Sequence, residues 1–210
     1  MIFGPMVVGM TGRKLALFLP ILLLFGGRAA VAATAEDPDW PCVQRLVPEV
    51  AAAMIWPGPP LDEAPAEASP AVERLAGELA ARRVPLADAE QQIEAFADTL
   101  AAEQKVAQLT RLFADTLAII NRDRSSIIQG IRKFAHNQQA LAERITVSND
   151  RLSELASDQI AERDALMAQR RWEMRLYEDR RESLTYLCEQ PVLLEQRAFA
   201  LARAIASYLE

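Results

Sequence analysis

Between Pro85 and Pro191 the chain carries no proline and a single glycine, Gly130. A hundred residues without breakers, rich in Ala, Leu, Gln, Glu and Arg, is strongly helical. The apolar spacing sharpens this. Stepping alternately four and three from Phe113 visits Leu117, Ile120, Arg124, Ile127, Ile131, Phe134, Gln138, Leu141, Ile145, Ser148, Leu152 and Leu155. All but Arg124, Gln138 and Ser148 are apolar, which describes a heptad seam. Polar residues on such a seam cost stability but fix register. A second series runs Ile160, Met167, Met174, Tyr177, Leu184, Cys188, and a third Leu194, Ala198, Leu201, Ile205, Tyr208.

The expected fold is all-α: an elongated helical hairpin or bundle with coiled-coil character, preceded by a Pro/Trp-rich extended arm. Ser69-Pro70 is a good helix start, a capping hydroxyl followed by proline at the first position. Pro85 opens another helix, with Asp88 and Glu90 in its first turn. Ser148-Asn149-Asp150 follows the β-branched Ile145-Thr146-Val147 and reads as a turn. The heptad seam crosses residue 149 and argues against it. Gln190-Pro191 reads as a break. The expected helices are therefore about 69–83, 86–147, 150–189 and 191–209, within a bundle spanning 69–210.

Residues 34–68 differ in kind. Trp40-Pro41-Cys42 and Ile55-Trp56-Pro57-Gly58-Pro59-Pro60 contain too much proline for a continuous helix. This arm has Trp40, Leu46, Ile55 and Trp56 to lay on a helical surface.

Residues 1–33 read as a cleavable secretory signal. Arg13 and Lys14 are the positive region, Leu15 to Phe25 is apolar, and Ala30-Val31-Ala32 fits a cleavage site. The apolar run falls short of the ~20 residues of a bilayer span, so no stable membrane span is expected after cleavage. A start at Met10 would give a cleaner signal than Met1. The destination is periplasmic or secreted, in a bacterial envelope. In that oxidising setting two cysteines, Cys42 and Cys188, are most simply one disulfide. Free thiols or intermolecular bonds are the alternatives.

After the signal the chain has 20 basic and 29 acidic side chains, a net charge of −9. The excess lies in residues 36–110; residues 111–210 balance at 15 of each. This acidity makes nucleic acid a poor partner. No catalytic, metal or cofactor motif is present. His136 is the only histidine, so a zinc site lacks ligands, and it reads as a helix-surface residue. Arg170, Arg171, Trp172, Arg175 and Tyr177 form a candidate docking surface, since arginine and aromatics favour interfaces. Interleaved Glu173, Glu178, Asp179 and Glu182 favour an ion-paired helix instead. Trp40 and Trp56 are candidates for the same role or for packing within the chain.

The expectation is a non-enzymatic exported helical scaffold or adaptor that engages a protein partner or a second copy. The alternative is a helical holdase or small-ligand binder with a groove lined by Ile160, Met167, Met174 and Tyr177, methionine surfaces being adaptable.

Overall fold

The computed structural model describes residues 39–209. The export signal read at residues 1–33, its start codon and the first residues of the arm lie outside the described residues. Among the described residues there are five α-helices and no strand: α1 (Ala52–Ile55), α2 (Pro70–Ala80), α3 (Leu86–Asp98), α4 (Ala102–Glu154) and α5 (Ile160–Ala206). No helix among them is long and apolar enough to cross a membrane.

Helix α2 starts where its cap dictates. The Val72 amide donates to the Ser69 hydroxyl at 3.3 Å, and Pro70 occupies the first turn. Helices α4 and α5 pack against each other in antiparallel sense. Gln138 Nε2 donates to the Tyr177 carbonyl at 2.7 Å, Arg170 to Asn149 Oδ1 at 2.8 Å, and Arg151 pairs with Glu162 at 2.6 Å. Every position of the seam from Phe113 to Leu155 is buried or half-buried.

Three boundaries differ from the sequence expectation, each for a physical reason. The helix expected over 86–147 is two helices, interrupted at 99–101, where the Thr99 hydroxyl bonds the Phe96 carbonyl at 2.6 Å. The turn expected at Asn149 comes later, at residues 155–159. Ser148 and Leu152 are both buried at seam positions, so continued burial against α5 outweighs the weak helix preference of Thr146, Val147 and Asn149. Pro191 does not end a helix; it lies inside α5. An internal proline removes one helix hydrogen bond at a cost of about 3 kcal/mol. The carbonyl freed is that of Leu187; side chains remote in sequence bond its neighbours on the same turn, Gln44 Nε2 donating to the Cys188 carbonyl and Arg124 Nε to the Pro191 carbonyl.

The main core is a four-helix head. Leu79 of α2, Ile93 of α3, Leu109, Phe113 and Ile120 of α4, and Leu194, Leu201 and Ile205 of α5 form one buried cluster. The arm belongs to this head. It runs antiparallel to α4, and α4 supplies its partners in descending order. The Arg124 guanidinium donates to the Val47 carbonyl, Asn121 bonds both backbone groups of Val50, and Trp56 stacks on Phe113 with centroids 4.3 Å apart. Arg111 then donates to the carbonyls of Pro65 and Ala66, each at 2.8 Å. Cys42 and Cys188 are joined in a disulfide across a separation of 146 residues.

Beyond the head, α4 and α5 continue as a two-helix hairpin to the turn at 155–159. On the α5 side, Glu173 is the sole buried side chain between Ile160 and Leu187. The seam therefore buries α4 well and leaves much of α5 open to solvent.

Candidate interaction surface

The candidate surface residues separate into two groups. Trp56 is 9 % exposed and its indole N–H is used by the Pro59 carbonyl at 2.8 Å. It is a core residue. Trp40 is half-buried and donates to the Gln44 carbonyl at 2.7 Å, a local contact that holds the arm's turn together. The cluster on α5 is placed differently. Trp172 is 56 % exposed, and Arg171 and Arg175 are exposed beside it. Arg170 and Tyr177 turn partly inward to meet α4. At about 100° per residue a helix cannot present all five to one side.

Under this surface lies a polar layer in the seam. Glu173 is 4 % exposed. One of its carboxylate oxygens lies 3.4 Å from the Arg144 guanidinium and 3.3 Å from the Gln169 amide. Its other oxygen is buried without a hydrogen-bond partner. Buried Ser148 and the Arg170–Asn149 bond complete the layer. A charged layer inside a largely apolar seam costs stability and restricts the register in which two helices can meet.

The head carries a second polar system. Arg197 of α5 donates to the carbonyls of Leu79 and Val84 at 2.6 and 2.9 Å, tying α5 to the α2–α3 turn. Arg124 faces Glu195 at 3.6 Å. Burial pushes both guanidinium groups below their usual pKa, and Glu195 partly offsets this for Arg124. Both cations are joined to backbone carbonyls of other segments, which is structural work.

Of the expected apolar groove, Met174 and Tyr177 line a shallow depression with Ala142, Ile145, Thr146 and Glu178. Ile160 is exposed at the hairpin turn, 65 % accessible, and Met167 is half-buried. The four do not form one continuous groove. His136 is exposed on α4. No group of three His, Cys, Asp or Glu able to hold a metal ion occurs among the described residues.

Sequence reasoning missed Val147 on α4 and Tyr186 on α5. Both are large, apolar in body and well exposed, at 65 % and 66 %. The signal for Tyr186 was its spacing of fourteen residues from Trp172, two heptads along one side of the helix.

No family model, no curated protein and no solved structure matches this chain.

Proposed function

We propose that this chain is a non-enzymatic helical scaffold or adaptor, exported to the bacterial envelope, that engages a protein partner through the α4–α5 hairpin. The carrying observation is the asymmetry of the hairpin. A head fastened by buried arginines and a disulfide supports two helices on which Val147, Trp172 and Tyr186 stay exposed. Large aromatic groups flanked by arginine are the residue types that anchor protein interfaces. The disulfide and the absence of a membrane-crossing helix among the described residues are compatible with an exported protein. The expected export signal would supply the route.

The test is photo-crosslinking in the native envelope. A photoreactive side chain in place of Val147 or Trp172 should give adducts with a discrete protein, and one at exposed Glu73 of the head should not. Adducts from Glu73 alone would overturn the reading.

A second reading rests on the depression beside Met174 and Tyr177. A holdase or small-ligand binder would use this apolar floor. Suppression of client aggregation by stoichiometric protein supports it; no effect removes the holdase form.

A further inference from the structure

The outer side of α5 is patterned. Stepping alternately four and three from Ala161 to Gln196 gives a strip exposed at every position. It is a second heptad strip, turned away from the seam. Alanine occupies its first part, at Ala161 and Ala168. Trp172, Tyr186 and Leu193 occupy the rest, with Arg175 and Asp179 at its centre. Isolated apolar residues on a surface need no explanation, but large ones repeated at one heptad position do.

We infer that this strip pairs with the same strip of a second copy, antiparallel about a two-fold axis between Arg175 and Asp179. The inference rests on the hairpin being an interaction surface and names the occupant of its α5 side. With the axis there, Arg175 of each copy faces Asp179 of the other. Ala168 faces Tyr186 and Ala161 faces Leu193, so each large group meets a small one. Trp172 lies along the stem of Glu182. All these are the core-to-core layers that an antiparallel helix pair requires, and a two-fold contact is self-complementary by construction. Leu176 meets its own copy at the axis on one flank. Glu178 does so on the other, where each already pairs with Arg181 of its own chain at 3.1 Å.

The parallel arrangement fits worse. In register it sets Arg175 against Arg175 and Asp179 against Asp179, and like charges directly opposed are destabilising. It also stacks alanine on alanine and leaves gaps beside Trp172. Among the described residues neither Arg175 nor Asp179 has an ion-pair partner within its own chain. The overlap from Ala161 to Leu193 covers about 48 Å of helix.

Sedimentation equilibrium of the purified exported protein, with its disulfide intact, tests this. A dimer is expected in the micromolar range. Arg175→Glu and Asp179→Arg should each weaken it by about tenfold or more, since two contacts change from attraction to repulsion. The R175E/D179R double variant should restore it. Both positions are exposed, so the unfolding midpoint measured at concentrations too low for the dimer should not move. A nitroxide label on an Ala161→Cys variant should report copies displaced along the axis by about 48 Å. A monomer at all concentrations, a dimer indifferent to both reversals, or labels lying side by side would each overturn the inference. A monomer that still cross-links to another envelope protein from Trp172 would remove self-pairing alone and leave the scaffold reading standing.

Discussion

The Val50 amide donates to Oδ1 of Asn121 at 2.9 Å, and Nδ2 of the same side chain donates to the Val50 carbonyl at 3.1 Å. One carboxamide thus satisfies both backbone groups of a buried residue in a segment that forms no ladder of its own. The clamp explains how a proline-rich arm becomes part of a helical core. Asn121→Leu should leave both Val50 groups without partners and cost about 1–3 kcal/mol in urea unfolding. Asn121→Asp, which still accepts from the amide, should fall between Leu and the native side chain.

The disulfide closes the far end of the same arm. Replacing Cys42 and Cys188 together with serine should lower stability by about 5 kcal/mol on the chain-entropy account of so long a loop. Trypsin should then cut faster after Arg45, which is exposed just beyond Cys42. A variant with an unchanged urea midpoint and unchanged cleavage would show that hydrogen bonds alone hold the arm.

Trp56 and Trp172 should behave oppositely. Trp56→Ala removes a ring stacked on Phe113 and should cost about 3–5 kcal/mol in thermal or urea unfolding. Trp172→Ala removes an exposed ring and should change stability by no more than about 0.5 kcal/mol, while capture of a partner falls.

Arg197→Met should strip the donors from the Leu79 and Val84 carbonyls and cost about 2–3 kcal/mol. Arg197→Lys should recover only part of this, because an ammonium lacks the planar fork that reaches two carbonyls together. Hydrogen exchange at the α2–α3 turn should speed up in the same order.

Glycine replacements give a third contrast. A Cβ on Gly58 would lie 2.5 Å from the Trp56 ring and 2.8 Å from Leu209. Gly58→Ala should therefore destabilise by about 1–3 kcal/mol. Around Gly77 and Gly130, both in helices, nothing lies within 4 Å of the added atom. Alanine there should stabilise by about 0.5–1 kcal/mol through helix propensity.

Much of this architecture was legible because seam burial is periodic. The series from Phe113 to Leu155 reads directly as the inner side of α4, polar members included. Arg124 shows where that reading stops. It occupies a seam position, yet its guanidinium serves Val47 and Pro191, segments 77 and 67 residues away. Periodicity says that such a residue points inward; it does not say which carbonyl waits there. Pro191 misled for the same reason. Its cost as a helix breaker is local, whereas the burial of Pro191 and its neighbours within the head comes from segments remote in sequence. The break at Thr99 carried no Gly or Pro and had no local signal. The outer strip of α5 was hidden behind the charge of its neighbours, because Arg170 to Glu182 reads as a solvated surface until the inward-facing members are removed.

On the proposed function the hairpin is the working surface, while the arm is part of the fold. Oxidative footprinting of intact envelopes, compared with dilute purified protein, tests it in one measurement. Trp172 and Val147 should be protected in the envelope, with Trp40 labelled equally in both. Equal labelling of Trp172 and Val147 in the two preparations would show that nothing covers the hairpin in the envelope.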